Sequence, residues 1–563
     1  MTDFQLAFII MYVRVKKAPK SNNKVVILVE SYRDDMGKPK QMLIKHIGTA
    51  KNEQEVEQLK EKALALKQQL TQQRLAEKEH NITPSTFGSK FGETKKIRKG
   101  ISFNPLQLSE AGRYILGIHD VYGYIYKLLN FTNPFYWPKR REHASKILRE
   151  VVLARIANPC SKRATVDMLE TKFGVPLKLD HVYQMMDKID DAFCNRIQER
   201  ALTATLQLTG KKIKVLFYDA TTLYFESFTE DDLKQNGYSK DMKFNQPQIL
   251  LALFVTQDGL PVGYEVFPGA TYEGHTLKPV LEKLKKRYQI DEMVFVADRG
   301  MLSVDNINYL EESNIPYIVG ARIKNTKETT KKDILAWGKQ ARESDKNNAT
   351  HHINITKSKR LILSYKKKRA YKDQKDREKA IAKLHKKLSK SKNPQSLISN
   401  YGYKKFLKME GSATIAVNHE KIEKESVWDG LIGLYTNHTT LTDTEVLTHY
   451  RSLWQVEESF RITKHDLKIR PIYHWTPKRI QAHIAISFMA FACVRHLEYR
   501  VKLHYKKLSP EAIRQVLLDV QASVIENKET KKRYLLPSKA RADAKQIYQV
   551  LGIKIPTHMQ AIV

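Results

Sequence analysis

YRSLWQVEESFRITK, residues 450–464, has the spacing of a helix that carries a charge in an unexpected place. Taken as a helix, Glu457 shares one face with the residues three, four and seven positions away: Tyr450, Leu453, Trp454, Phe460, Arg461 and Lys464. A carboxylate among apolar side chains is costly unless a cation neutralises it. Either Glu457 pairs with Arg461 one turn on, or it belongs to a site that binds a cation.

Strand patterns begin upstream, at Lys212, and carry two further acids. The first β-rich run, residues 213–225, has Asp219 in its middle. A hairpin across Asp258-Gly259 follows, then a helix, a buried strand that ends at Asp298, a second helix and a last strand. The resulting order, β-β-β-α-β-α-β, is that of a ribonuclease-H-like core. In such a core the first acid lies within the first strand and the second closes the fourth, as Asp219 and Asp298 do.

Three motifs resemble those of bacterial insertion-sequence transposases of the Asp-Asp-Glu type, in the insertion-sequence-four group. The group has a Tyr-x2-Arg-x3-Glu-x6-Lys signature, which Tyr450, Glu457 and Lys464 match in register, whereas Leu453 stands at the Arg position. The runs that begin at Tyr218 and Asp298 are similar to the motifs of its two aspartates. Arg-Pro-Ile-Tyr-His, residues 470–474, resembles the 1634 branch of the group.

The resemblance implies a DNA transposase that cuts the ends of its own insertion sequence and transfers the freed 3′-OH ends to target DNA. Its metal-binding triad would be Asp219, Asp298 and Glu457. These carboxylates would hold two Mg²⁺ ions, or Mn²⁺ in their place, with Asp219 bridging both. Double-stranded DNA is the implied partner, bound by a homodimer on paired ends. The DNA contacts are assigned to Tyr450, Lys464, Arg461 and Trp428, the last stacking on a flipped base as in relatives, and to Lys367, Lys368 and Arg369.

The charge of the chain independently favours a polyanionic partner. It carries 97 Lys and Arg against 61 Asp and Glu, a net charge of +36. Residues 357–408 alone hold nineteen Lys and Arg against three acids. They lie in the long interval between Asp298 and Glu457, which predicts a basic, partly β insertion domain at 324–424. A solvated helix is the alternative for this charge run, and a surface that follows DNA phosphates is the interpretation we favour.

The remaining sequence predicts an α/β protein of several domains. We expect a small β-sheet with a helix and linker at 1–100, a helical domain with a possible DNA-reading helix pair at 101–210, the core at 211–323 and 425–500, and a helical tail at 501–563. The apolar run 484–494 is interpreted as a buried helix, being shorter than the ~20 residues of a membrane span. Three scattered cysteines and no signal peptide pattern indicate a cytoplasmic, nucleoid-associated protein with no membrane partner.

Other functions remain open at this point. The same core also serves nucleases that cut without strand transfer. Leu453 at the signature's Arg position would suit a catalytically inert DNA-binding regulator descended from a transposase. A basic RNA-binding protein is a third possibility, but it gives no reason for three acids on two strands and a helix.

Overall fold

We describe the fold from a computed structural model. It describes residues 10–17, 23–33, 39–50, 52–53, 55–61, 63–64, 95–96, 105–135, 141–210, 213–226, 228–238, 245–287, 293–301, 303–344, 346–389, 406–410, 414–470 and 472–562. The chain divides into two compact units. The smaller comprises Met1–Ile101, Leu551–Pro556 and Gln560–Val563, and the larger comprises Ser102–Val550 and Thr557–Met559.

The smaller unit is built on an antiparallel three-stranded sheet of β1 (Ile10–Lys17), β2 (Lys24–Arg33) and β3 (Pro39–Ala50), in that order. Its central strand buries four consecutive residues, Val26 to Val29. The predicted N-terminal sheet is therefore confirmed. Residues 53–64 are helical where they are described, whereas the predicted linker at 80–99 lies almost wholly outside the described residues. A short strand β4 (Lys95–Lys96) pairs with the C-terminal residues 560–561.

The larger unit begins with a strand where the sequence predicted only helices, β5 (Leu108–Ile115). That prediction is wrong because β5 takes its partner, residues 521–527, from more than 400 positions further along the chain, and local spacing cannot reveal such a pairing. Five helices then follow as predicted: α1 (Gly123–Leu128), α2 (Glu142–Ala157), α3 (Lys162–Phe173), α4 (Leu179–Met186) and α5 (Asp191–Leu208).

The break between α3 and α4 has a clear local cause. Ser161 caps α3 by accepting a hydrogen bond from the Ala164 backbone N–H, and Gly174 ends it in the left-handed conformation, at φ 68°. Both helices pack against α2. The helix–turn–helix arrangement is confirmed, whereas its reading of DNA stays a prediction.

The core of the larger unit is an eight-stranded sheet. Its first strands are β6 (Val215–Tyr224), β7 (Gln248–Thr256), β8 (Pro261–Pro268), β9 (Val294–Ala297) and β10 (Tyr317–Ala321). Their spatial order is β8-β7-β6-β9-β10, with β9 parallel to both of its neighbours. Helix α6 (Leu277–Arg287) precedes β9 and α7 (Val304–Glu312) follows it, and both pack on the buried side chains of this sheet. The predicted order and the ribonuclease-H-like arrangement are thus present.

The insertion after β10 extends the core sheet. It contains α8 (Glu328–Glu343), β11 (Asn348–Asn354), β12 (Arg360–Lys366), α9 (Lys367–Leu388), β13 (Leu407–Glu410), β14 (Thr414–Val417) and α10 (His419–Ser426), followed by β15 (Leu431–Thr436). Strands β11, β12 and β15 continue the sheet beyond β10. β15 lies within 425–500, the range assigned to the last part of the core, and it joins the insertion to the core because it pairs with both β10 and β12. Trp428 lies in the turn before this strand rather than at its start.

Residues 450–464 do not form one continuous helix. The chain here consists of α11 (Asp443–Arg451), a turn at residues 452–453, α12 (Trp454–Arg461) and one π-helical turn at Ile462–Asp466. The single face proposed from the sequence is therefore wrong. Val456, Ser459 and Phe460 form the buried face of α12, whereas Trp454 is half exposed.

The chain ends with α13 (Pro477–His504), α14 (Pro510–Leu518), β16 (Gln521–Asn527), β17 (Arg533–Pro537), α15 (Ala542–Val550) and β18 (Gln560–Ile562). The predicted helical tail is wrong for 521–537, since β16 lies between β5 and β17. α13 contains the predicted buried helix. It is long and apolar enough to cross a membrane, but 94% of its most apolar window is buried inside the protein, as in the core helix of a globular domain.

Candidate active site

The two aspartates lie at matched positions on neighbouring parallel strands. In the ladder between β6 and β9, Tyr218 is the partner of Ala297, so the next residues, Asp219 and Asp298, follow side by side at the end of the ladder. Neighbouring strands are ~4.8 Å apart. The sheet therefore brings together two carboxylates that are 79 residues apart in the chain.

Asp219 interrupts a buried strand. The residues on either side of it, Tyr218 and Ala220, are fully buried, whereas Asp219 itself is half-buried. Its Oδ1 atom accepts a hydrogen bond of 2.8 Å from the Ala220 backbone N–H. An acid in a strand with such neighbours is unfavourable for folding alone, which favours a chemical role.

Tyr450 meets the second aspartate from α11. Its hydroxyl forms a hydrogen bond with the Asp298 carboxylate, and burial together with this carboxylate raises the pKa of Tyr450 to about 12. Gly320 on β10 makes the approach possible, because a Cβ atom there would lie only 2.5 Å from the Tyr450 hydroxyl oxygen. The tyrosine of the signature thus lies beside the second aspartate.

Glu457 is exposed, at the edge of the buried face of α12. The helix packs against β6 and β7. From the middle of the following π-helical turn, Lys464 Nζ donates a hydrogen bond of 2.6 Å to Thr221 Oγ1. This bond fixes the segment two residues beyond Asp219 on β6. Glu457 and Lys464 therefore both lie on a helical segment that contacts β6, the strand of the first aspartate.

Arg461 is engaged with carboxylates other than Glu457. Its guanidinium donates to both carboxylate oxygens of Glu458, at 2.8 and 2.7 Å, and to Asp466 at 3.3 Å. The alternative that Glu457 is merely paired with Arg461 is therefore wrong. Leu453, at the Arg position of the signature, is buried with 8% of its surface exposed, so it belongs to the packing of this segment.

The donor set suits a hard divalent cation. Carboxylate oxygens are the ligands that Mg²⁺ and Mn²⁺ prefer, and two of them occupy adjacent positions on the sheet. Among the residues that the structure describes, no group of three Asp, Glu, His or Cys lies close enough to hold a metal. Asp219 and Asp298 are thus assembled as a pair, and Glu457 does not yet complete a three-ligand group.

One acid near this pair was missed by the sequence analysis. Glu273 lies in a short 3₁₀ turn after β8, and a Cβ atom at Gly300 would be 3.8 Å from its carboxylate. Two hydrogen bonds hold this turn in place. One joins the hydroxyls of Thr276 and Tyr218, and in the other Asn306 Nδ2 donates to the Gly274 carbonyl at 2.7 Å. No motif pointed to it, since only the fold brings this turn to Asp298.

A cavity of about 770 Å³ opens beside Asp298 and reaches into the insertion. Tyr450 and Trp428 both line it, and Lys324 Nζ lies 5.9 Å from the centre of the Trp428 ring. Its lining is rich in cations that the sequence analysis did not single out: Arg299, Arg322, Lys324 and Arg377, beside the predicted Arg369. Acids also line it, namely Asp373, Asp376, Glu425 and Asp429.

Helix α9 supplies the other predicted cations. Lys367, Lys368 and Arg369 are exposed in its first turn. Burial, together with Arg451 and Arg369, lowers the pKa of the neighbouring Lys366, which reflects the crowding of positive charge here. Further along, Arg377 binds both carboxylate oxygens of Asp429 at 2.6 Å and so ties α9 to the turn that carries Trp428.

Comparison with known proteins identifies the family of the chain. Residues 210–493, half of the chain, match the transposase DDE domain. Residues 13–78 match the N-terminal domain of IS1634 family transposases. The chain therefore belongs to the Asp-Asp-Glu transposases of the IS1634 type, which confirms the resemblance and extends it to the N-terminal sheet.

Curated proteins and solved structures were compared as well. No curated protein gives a significant match. Among solved structures, a piggyBac transposase synaptic complex with hairpin DNA is similar over 71% of this chain and 78% of its own, with 9% sequence identity and a TM-score of 0.37.

Proposed function

We propose that this DNA transposase cuts at the ends of its own insertion sequence and joins the freed 3′-OH ends to target DNA at one active site. The observation that carries the proposal is the register that sets Asp219 beside Asp298, on a sheet against which the helix that bears Glu457 packs. Bacterial DNA would be its substrate, in the cytoplasm, and a homodimer would act on paired ends.

The three carboxylates are proposed as the metal ligands, and Asp219, Asp298 and Glu457 together would hold two divalent ions. When bound, two divalent ions supply an activated water and stabilise the charge on the leaving oxygen. The two aspartates hold fixed positions because the sheet carries them. Glu457 would complete the set once DNA and metal draw its exposed side chain inward.

Tyr450 and Lys464 are proposed as positioning groups. The Tyr450 hydroxyl orients the Asp298 carboxylate through its hydrogen bond. Lys464, held at Thr221, presents a positive charge beside the first aspartate, where a backbone phosphate of the bound strand would lie. Arg461, tied to Glu458, would shape the site through that pair.

The cavity beside Asp298 is proposed to receive a displaced base stacked on Trp428, as the resemblance implies. Its volume exceeds that of a nucleotide, and Lys324, Arg322 and Arg369 supply positive charge for the phosphates. Lys367 and Lys368 continue this charge along the first turn of α9.

The decisive experiment compares metal-dependent cutting by the protein and its triad variants. DNA carrying the sequences that flank the gene is incubated with and without Mg²⁺ or Mn²⁺. We expect cuts at the element ends, and we expect Asp219→Asn and Glu457→Gln to lower the rate by at least ~1000-fold while DNA binding is kept, because each removes a metal ligand. Glu282→Gln, which removes an exposed carboxylate of α6 that has no part in the proposed site, is the matched control and should still cut.

Persistent cutting by both triad variants would refute the assignment.

An inert DNA-binding regulator is the second candidate. It is favoured by Leu453 at the signature's Arg position and by the lack, among the described residues, of three acids close enough to hold one metal ion. Specific binding without cutting, under either metal, would select it.

A further inference from the structure

A short segment after α12 and its π-helical turn exposes two large aromatic rings. We name residues 472–475 the aromatic loop. Tyr473 is 63% and Trp475 73% exposed, whereas Ile472, before them, is buried. His474, between the two, turns inward, where its ring contacts those of Tyr183 and His483. Two exposed rings on one short loop form a patch that is characteristic of a binding surface.

The backbone that leads into the aromatic loop is clamped from the helical part of the unit. Buried Arg155, on α2, donates to the carbonyl of Leu467 at 2.9 Å and to that of Lys468 at 3.3 Å. His483, on α13, donates from Nε2 to the Ile469 carbonyl at 2.9 Å. A loop whose adjoining backbone is already fixed loses little conformational entropy when it binds a ligand. These hydrogen bonds therefore favour binding through the exposed rings.

Contacts with β6 connect the aromatic loop to the active site. Beyond Asp219, the strand receives Lys464 at Thr221, then the Arg470 guanidinium over the Tyr224 ring at 5.4 Å, and then a bridge from Phe225 to Ile472. Phe225 follows Asp219 by six positions. At ~3.3 Å per residue the loop begins roughly 20 Å from the aspartate, a distance that about six nucleotides span when the strand keeps the stacked spacing of ~3.4 Å.

The surroundings of the aromatic loop carry mostly positive charge. Lys468 is exposed and Arg470 half-buried before it, and Lys478 is exposed after it. Arg479 is already paired with Asp187, at 2.8 Å. Glu226, exposed two residues beyond β6, is the acid next to Phe225 in the chain. Exposed aromatic rings interleaved with cations are the combination that binds single-stranded nucleic acid, since every base has a face that can stack.

We propose that Tyr473 and Trp475 form a stacking platform for unpaired bases of the DNA strand, about six nucleotides from the scissile phosphate, with Lys468 and Arg470 neutralising the backbone. The inference rests on the proposed function, because the active site sets where the strand runs. The platform lies beyond the end of β6, whereas the Trp428 cavity adjoins β10 and the insertion, so the two aromatic sites hold different parts of the DNA.

The test uses the full chain, without metal, and end DNA unpaired over nine nucleotides beside the cleavage position. A 2-aminopurine base is placed in turn at positions three to nine. Stacking on a ring quenches its fluorescence, and we expect quenching centred on about position six. Tyr473→Ala and Trp475→Ala should abolish it and weaken binding of the unpaired DNA roughly tenfold each, whereas binding to fully paired DNA changes less than about twofold.

Matched variants separate the rings from general surface effects. Tyr473→Phe and Trp475→Phe keep a ring and should retain quenching, and Leu503→Ala, which trims an exposed apolar side chain of α13, should behave as wild type. Thermal unfolding of each variant verifies folding, which little-buried side chains should not disturb.

Absence of quenching at every position, or equal losses on paired and unpaired DNA, would overturn the platform. It would also be overturned if both alanine variants dissociated a dimer in sedimentation while DNA affinity stayed unchanged, because the rings would then face a second copy. Metal-dependent cutting that is lost in Asp219→Asn would still support the proposed function in either case.

Discussion

At the scale of single residues, the absence of a side chain at Gly320 sets how the second aspartate is held. Tyr450 fits against β10 only because no Cβ occupies that position, and its hydroxyl then bonds to Asp298. The spacing of Tyr450 and Glu457 is visible in the sequence. The glycine that receives the tyrosine is on a strand 130 residues earlier and belongs to no recognised motif.

Tyr450→Phe should therefore slow cutting roughly tenfold or more, because a hydrogen bond to a charged group contributes about 1.5–3 kcal/mol. Folding should be kept, since the ring remains. The measurement is the single-turnover cutting rate in Mg²⁺. Tyr435→Phe, which removes the hydroxyl of another half-buried tyrosine of the sheet, is the control. Equal rates for the wild type and Tyr450→Phe would show that the hydroxyl does not orient Asp298.

At the scale of elements, the sequence predicted what local periodicity determines. The strands that carry Asp219 and Asp298, the helices around them and the break at Gly174 all follow from short-range patterns. Strands β5 and β16 were not predicted, because they pair with each other although they lie far apart in the chain. The break at 452–453 also escaped, since Leu453 and Trp454 continue an apolar spacing that a straight helix would share.

The insertion and the core are joined by an ion pair that the sequence could not reveal. The pair of Arg377 and Asp429 has 13% and 15% of its side-chain surface exposed. Arg377→Ala should lower the free energy of unfolding by about 1–3 kcal/mol, because it leaves a carboxylate poorly solvated and without its partner. Chemical denaturation measures this. Arg369→Ala breaks a more exposed pair on the same helix, with Asp373, and should cost no more than about 1 kcal/mol; similar losses in both variants would contradict the assignment.

At the scale of the whole molecule, basic residues of the insertion lie beside the candidate active site. Residues 357–408 carry 19 − 3 = +16 of the net charge of +36, and α9 within them lines the cavity beside Asp298. DNA binding releases about 0.9 counterion for each phosphate that a cation neutralises, and this number sets the salt dependence of affinity. The first turn of α9 can therefore be examined separately from the catalytic carboxylates.

Replacing Lys367, Lys368 and Arg369 with Gln should reduce the slope of log affinity against log salt by up to about 2.7, or 0.9 for each phosphate that is no longer neutralised. The same number of charges can be removed from the exposed turn after β16 by replacing Lys528, Lys531 and Lys532, and that variant should keep the wild-type slope. Fluorescence anisotropy on end DNA at several salt concentrations measures both. If the slope fell equally in the two variants, the insertion would act only through the total charge of the protein, and α9 would be a solvated helix rather than a surface that follows phosphates.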